Sequence, residues 1–267
     1  MGEAAQKGLV IVTGAHGGIG EAMVRAFVDD GWRELLLVDL DEALLEAMAV
    51  PMRGLGVRVD VLACDITDPA FPERLKTIIG RRRITAVANA AGVTGKNATL
   101  ERVLEVNLDG SQIVIDTVLP LMAEGGAVVL FASMAGHFPP PAKVGSAFDE
   151  PLPAGGTRAI AHLVDTPEQA YPLSKRGIVF MVRREAKRFA KVGARICAVS
   201  PGFIDTPMIR ASWAPVIEQQ IANSALERIG RPEEVADFVI FLCSPKASFI
   251  SGCDLLVDGG ALFGTLR

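Results

Sequence analysis

The 267 residues suit one large α/β domain, and half of them are hydrophobic, ample for a sheet buried on both faces. A formal net charge of −4 argues against a general nucleic-acid binder, and no apolar run approaches the ~18 residues that a membrane helix needs. The opening MGEAAQKG has no secretory apolar stretch and only part of a myristoylation pattern, so a soluble cytoplasmic protein is expected.

Short β-branched runs alternate with longer segments of helical periodicity along the whole chain. The first strand, Leu9–Thr13, runs into Thr13-Gly14-Ala15-His16-Gly17-Gly18-Ile19-Gly20 and then a helix over Ile19–Asp30. Glycine here permits a tight turn and close backbone approach to a pyrophosphate. The helix N-terminus adds free N–H groups and a positive dipole end. A glycine-rich turn alone is weak evidence; between a strand and a helix it is strong. The second strand, Leu35–Asp39, ends on a carboxylate that can accept hydrogen bonds from an adenosine ribose. No Arg or Lys follows at 40 or 41 to neutralise a 2′-phosphate, and His16 is a poor substitute for one. NAD is therefore expected over NADP.

The third strand is Arg58–Ala63, with Asp65 and Ile66 just beyond it, and the fourth is Ile84–Asn89, leading into Asn89-Ala90-Ala91-Gly92. Helical spacing over Leu100–Leu119 carries Asn107. A fifth strand, Ala127–Ala132, precedes Ser133. The pattern then dissolves from Gly136 to Thr166 into a Pro- and Gly-rich stretch, a length of irregular chain that is uncommon unless it serves a site. Because its ends lie beside Ser133 and Tyr171, a lid over the substrate is expected, the alternatives being a surface insertion or an oligomer contact.

Thr166-Pro167-Glu168-Gln169 reads as a helix start, with Thr as N-cap and Gln closing a capping box. Tyr171 and Lys175 stand four residues apart on that helix and so share a face. Pro172 removes one helical hydrogen bond, so a local bend is expected. An unperturbed tyrosine has a pKa of ~10, and bringing it to ~7 takes about 4 kcal/mol. One ammonium ~4 Å away at an effective dielectric of ~20 supplies about that much. Tyr171, the single tyrosine of the chain, is thus a candidate general acid–base. Strands over Arg195–Val199 and Asp254–Val257 follow, with Pro201-Gly202, Ile204 and Thr206 after the former. Alternating β and α elements imply a Rossmann-type, doubly wound parallel sheet in a single domain. The four cysteines lack metal spacing and read as reduced, buried thiols.

In order, the turn from Thr13 to Gly20, Asn89-Ala90-Ala91-Gly92, Asn107, Ser133, Tyr171-x-x-x-Lys175, Pro201-Gly202…Thr206 and Asp258-Gly259-Gly260 resemble the short-chain dehydrogenase/reductase family. The resemblance covers nearly the whole chain, with the 136–166 insertion as its main gap. The turn fits both the single-domain and extended branches, but the length favours the single-domain one. The resemblance implies interconversion of an alcohol and a carbonyl by hydride transfer. Tyr171 would be the acid–base, Ser133 would hold the substrate oxygen, Lys175 would reach the nicotinamide ribose, and Asn107 would anchor a water-linked proton path. It also implies a dinucleotide site of Gly14, His16, Gly18, Ile19, Gly20, Asp39, Asp65, Ile66, Asn89, Ala90, Gly92, Tyr171, Lys175, Pro201, Gly202, Ile204 and Thr206, and a homodimer or homotetramer. The competing readings are an extended-branch nucleotide-sugar epimerase or dehydratase and a non-catalytic dinucleotide-binding regulator. Phe138, Phe148, Ile160 and Leu163, with Val93, Phe203, Met208 and Trp213, suggest an apolar or cyclic substrate, as in hydroxysteroid dehydrogenases of this family.

Overall fold

Seven parallel strands run through the middle of the molecule: β1 (Leu9–Thr13), β2 (Glu34–Asp39), β3 (Arg58–Ala63), β4 (Ile84–Asn89), β5 (Met122–Phe131), β6 (Arg195–Pro201) and β7 (Asp254–Val257). The computed structural model describes residues 7–96, 98–140, 144, 156–211 and 214–265. The strand order is β3-β2-β1-β4-β5-β6-β7. The chain winds outward from β1 to β3, then returns to β1's other side with β4. That reversal opens a crevice at the carboxyl ends of β1 and β4, where such sheets take their ligands.

The helices are α1 (Gly18–Asp29), α2 (Glu42–Gly54), α3 (Phe71–Ile79), α4 (Leu100–Leu104), α5 (Ser111–Val118), α6 (Pro167–Ala190), α7 (Pro207–Ala211), α8 (Pro215–Ala222), α9 (Pro232–Cys243) and α10 (Ala261–Thr265). Successive strand residues face opposite ways, so the sheet has two cores. Leu9, Ile11, Leu36 and Val38 pack with Phe71 and Leu75 of α3, Val114 of α5 and Ile178 of α6. Val10, Val12, Leu35 and Leu37 pack with Met23 and Phe27 of α1, Leu45 of α2 and Val235 of α9. Burial on both faces is why these strands read as unbroken apolar runs.

Three elements depart from the sequence expectation. The single helix expected over Leu100–Leu119 is α4 and α5 separated by a π-helical stretch, Glu105–Gly110, which contains Asn107. Strand β5 begins at Met122 rather than Ala127, because Gly125, at φ +76°, lets the chain bulge and still pair Met122 with Ile84. The helix bearing Tyr171 is continuous through Pro172. The proline lies near the start of the helix and frees one carbonyl, that of the exposed Glu168, where water can meet it. Thr166 caps the helix as expected, accepting the Gln169 N–H at 3.3 Å. Gln169 Oε1 takes its hydrogen bond from the Asp165 N–H, one residue outside the expected capping box.

The described parts of the insertion are docked rather than peripheral. Val144, Ile160, Leu163 and Val164 are buried in the first core. Thr157 gives its hydroxyl to Asp109 at 2.6 Å and its N–H to the same carboxylate at 3.3 Å. The lid expectation rests largely on residues 141–143 and 145–155, which lie outside the described residues, as do Phe148 and Trp213. Cys64, Cys197 and Cys243 are buried free thiols and Cys253 is partly exposed. Burial pushes the Cys197 thiol up to about 12. Among the described residues no cluster of His, Cys, Asp or Glu could hold a metal ion. None of their helices is long and apolar enough to cross a membrane.

Candidate active site

A cleft of about 520 Å³ opens at the carboxyl ends of the central strands. Its first wall is the turn between β1 and α1: Gly14, His16, Gly17, Gly18, Ile19 and Gly20 line it. Gly14 has φ +64°, and a Cβ there would lie 2.7 Å from the Ala91 nitrogen. A Cβ on Gly20 would lie 1.9 Å from the Gly14 carbonyl oxygen. Only glycine fits either place. Gly17 caps α1 without a side chain, so no side-chain oxygen takes the first N–H groups of the helix. Such a cradle, backbone N–H groups at a helix start with side chains removed, suits a dinucleotide pyrophosphate.

Asp39, at the end of β2, accepts N–H groups from His16 at 2.9 Å and Leu40 at 2.8 Å. Its carboxylate is thereby fixed beside the turn, where it can meet a ribose. Ala90, Gly92, Pro201, Gly202, Ile204 and Thr206 also line the cleft. A Cβ on Gly18 would come within 2.8 Å of Thr206 Cγ2, so the segment after β6 closes directly on the glycine turn.

Five of the expected residues do not line the cleft: Asp39 stands beside the glycine turn, and Asp65, Ile66, Asn89 and Asn107 lie behind it. Asn89 is buried, accepting from Thr13 Oγ1 at 2.6 Å and donating to Ser111 Oγ at 3.0 Å. It ties β1, β4 and α5 together beneath the turn. Ile66 packs against Gly110, where a Cβ would meet its Cδ1 at 2.7 Å. Asp65 is engaged by the Thr67 N–H and hydroxyl and by the Arg102 guanidinium. Burial opposes its charge, but these partners outweigh burial and hold the carboxyl below its usual range. Asn107 accepts from the Val93 N–H at 2.9 Å and donates to Val93 O at 3.0 Å and Ser174 Oγ at 2.9 Å. Its amide fastens the segment following Gly92 to α6, next to Lys175. The widened π turn brings that side chain inward.

The far wall carries the candidate acid–base residues. Ser133, Tyr171 and Lys175 line the cleft together, from the end of β5 and from α6. The Ser133 side chain faces the Tyr171 hydroxyl across the cleft. The Lys175 ammonium donates to Phe131 O at 2.8 Å and lies 5.6 Å from the Tyr171 ring centroid. Burial pushes the lysine down to about 8. Burial likewise raises the Tyr171 hydroxyl above its ordinary value, with the nearby Ser133 hydroxyl working the other way. The expected lowering of Tyr171 by one ammonium is therefore not what the protein alone produces. Desolvation sets the direction, and the lysine gives a hydrogen bond to a backbone carbonyl, Phe131 O.

Phe138, Phe203 and Met208 line the cleft as expected for an apolar substrate. Ile160 and Leu163 do not; they are core residues, 4% and 9% exposed, and Val93 packs against that core. Sequence reasoning missed Phe131, Met134, Ile209 and Gln220 in the lining. Phe131 and Met134 flank the Ser133 turn and were findable from it. Ile209 and Gln220 lie on short helices far along the chain and carry no local signal.

A family model described as short chain dehydrogenase matches residues 8–145, and one described as Enoyl-(Acyl carrier protein) reductase matches residues 157–261. The Short-chain dehydrogenase/reductase bsc3 of Alternaria brassicicola is 34% identical over 266 residues, covering 95% of each chain. The cis-4-hydroxycyclohexanecarboxylate dehydrogenase of Sinomonas cyclohexanicum is 31% identical over 274 residues, covering 97% of this chain and 98% of its own. Among solved structures, a 3-oxoacyl-[acyl-carrier protein] reductase with bound NAD from Brucella melitensis superposes with a TM-score of 0.74. It is 25% identical, over 96% of this chain and 92% of that one. The chain belongs to the short-chain dehydrogenase/reductase family, a family of oxidoreductases that use a nicotinamide dinucleotide.

Proposed function

We propose that this protein is an NAD-dependent dehydrogenase or reductase interconverting a secondary alcohol and a ketone, with an apolar or cyclic substrate. The observation that carries the reading is Ser133 facing Tyr171 beside the buried Lys175, in one cleft with the glycine turn. When bound, the nicotinamide dinucleotide supplies the hydride acceptor for oxidation or the donor for reduction. Gly14, Gly18 and Gly20 would admit its pyrophosphate, and Asp39 its adenosine ribose.

The protein's own residues handle the proton. Tyr171 takes it from the alcohol oxygen in oxidation and returns it to the carbonyl oxygen in reduction. Ser133 holds the same oxygen by its hydroxyl. Lys175, still largely protonated at neutral pH, favours the phenolate in the transition state and would reach the ribose of the nicotinamide. The apolar lining of Phe138, Phe203, Met208 and Ile209 excludes water from the reacting carbon. A preference for NAD is supported by Asp39, which would repel a 2′-phosphate, and by the exposed Leu40 where a neutralising cation would stand. The relative named for a hydroxycyclohexanecarboxylate supports a ring alcohol.

The extended-branch reading is disfavoured because the elements after Thr206 return to the same sheet, β7 pairing with β6. The non-catalytic reading is disfavoured because Tyr171 and Lys175 are both present and both line the cleft. The chain is further proposed to act as a homodimer or homotetramer, on family resemblance. The direct test is NAD reduction with cyclohexanol and other secondary alcohols, against NADP. Turnover with NAD supports the reading; tight NAD binding without turnover on any of them favours a binding protein instead.

A further inference from the structure

One ionisable cluster beside the cleft has no part in the chemistry above. His137 closes the short 3-10 turn that starts after Ser133, and its Nε2 lies 2.7 Å from Asp254 Oδ2 and 3.2 Å from Ser200 Oγ. Ser200 Oγ is 2.9 Å from both Asp254 oxygens. The Asp254 side chain is only 3% exposed. A carboxylate buried that deeply needs hydrogen-bond donors, and here the donors are the imidazole and the serine hydroxyl. Serine, histidine and aspartate together suggest a nucleophile relay, but the arrangement is wrong for one. Ser200 has no exposed surface, and its hydroxyl faces the carboxylate. The same Nε2 meets both partners. The cluster holds something in place.

What it holds is the turn carrying Ser133. Within that turn Gly136 donates its N–H to Ser133 O at 2.9 Å, and Ala135 donates to Ser133 Oγ at 3.2 Å. Gly136 is pressed on the catalytic helix: a Cβ there would lie 2.8 Å from the Arg176 nitrogen and from the Lys175 carbonyl carbon. His137, the next residue, is fastened on the other side to β6 and β7. Consecutive residues thus clamp the turn between α6 and the strand ends. The histidine is the polar half of that clamp. We propose that His137, held by Asp254 and Ser200, is a positioning residue that fixes the Ser133 hydroxyl against Tyr171.

This inference rests on the proposed roles of Ser133 and Tyr171. The Ser133 hydroxyl facing Tyr171 favours the phenolate, so loosening Ser133 should make the tyrosine harder to ionise. The groups facing the Tyr171 hydroxyl and ring in the structure are Ser133 and Lys175. Tyr171 is the single tyrosine of the chain, so its ultraviolet phenolate absorbance reports one group without needing a substrate.

The experiment follows that absorbance after rapid pH jumps in wild type, His137→Ala, His137→Gln, Ser133→Ala and the Ser133→Ala/His137→Ala double variant. Melting temperatures and cyclohexanol turnover with NAD are measured in parallel. Loss of His137 should move Tyr171 ionisation upward by about one pH unit, the worth of one hydrogen bond. Glutamine, whose Nε2 can still donate to Asp254, should restore it. In the Ser133→Ala background, His137→Ala should add little further shift, because the pathway is already cut. Unchanged ionisation in a folded His137→Ala, or a full shift persisting without Ser133, overturns the proposal. If His137→Ala fails to fold, Asp254→Asn takes its place under the same criteria. A Tyr171→Phe variant that keeps its turnover would instead overturn the proposed function, whatever the histidine does.

Discussion

The Asp39 carboxylate accepts the His16 backbone N–H at 2.9 Å, joining the end of the second strand to the glycine turn. The residue that would read the ribose therefore also braces the loop that would hold the pyrophosphate. Asp39→Ala should raise KM for NAD by roughly tenfold, the scale of one charge-assisted hydrogen bond. Adding Leu40→Arg places a cation at a side chain that is 70% exposed, free to meet a 2′-phosphate. The double variant should prefer NADP by kcat/KM, and steady-state kinetics with both cofactors checks it. Equal efficiency of the wild type with both would show that Asp39 does not select.

Lys175 is costly to bury, and that gives a stability prediction with a definite sign. Its folded pKa is about 8 against an ordinary 10.5. A lysine with a depressed folded pKa lowers stability in full below about 8, and stability recovers as pH rises towards 10.5. The shift corresponds to about 3 kcal/mol, partly offset by the hydrogen bond to Phe131 O. Lys175→Met should therefore be inactive yet more stable than wild type by about 1–3 kcal/mol at pH 7. The difference should shrink between pH 8 and pH 10. Urea unfolding of both proteins across that range is the measurement.

The insertion's far end is tied to the π-helical stretch between α4 and α5 through Thr157 and Asp109. Thr157 is 2% exposed, so Thr157→Val keeps the shape and the backbone bond but strips the hydroxyl that meets the Asp109 carboxylate at 2.6 Å. A loss of about 1–3 kcal/mol is expected in urea unfolding. Thr157→Ser should recover most of it. A loss below about 0.5 kcal/mol would show the tie to be solvated and weak.

Much of this was legible in the sequence because it is local. The glycine turn, Ser133 after a strand, and Tyr171 with Lys175 on one helix each declare themselves within a few residues. The boundaries of β1 and β4 match the expected runs, since parallel strands buried on both faces leave a nearly continuous apolar signature, and those of the edge strands β3 and β7 match through their short Val- and Leu-rich runs. What could not be read depends on distant partners. The π turn at Asn107 answers to Val93 and Ser174, not to its own neighbours. Ile160 and Leu163 looked like substrate contacts because they stand near Tyr171 in the chain, yet they face the core. His137 and Asp254 are 117 residues apart, and neither hints at the other. The ionisation of Tyr171 depends on burial, which no spacing reports.

The central claim is that Tyr171 moves the proton while a nicotinamide dinucleotide carries the hydride. Tyr171→Phe removes one hydroxyl and leaves the ring where Lys175 lies 5.6 Å from its centroid. Steady-state NAD reduction by wild type and Tyr171→Phe, with a secondary alcohol that the wild type oxidises, tests it most directly. General acid–base catalysis contributes roughly 100- to 10,000-fold, so kcat should fall by that factor while NAD affinity and melting temperature stay near the wild type. A Tyr171→Phe enzyme that keeps kcat within about twofold would contradict the account, since no loss of general acid–base catalysis is that small.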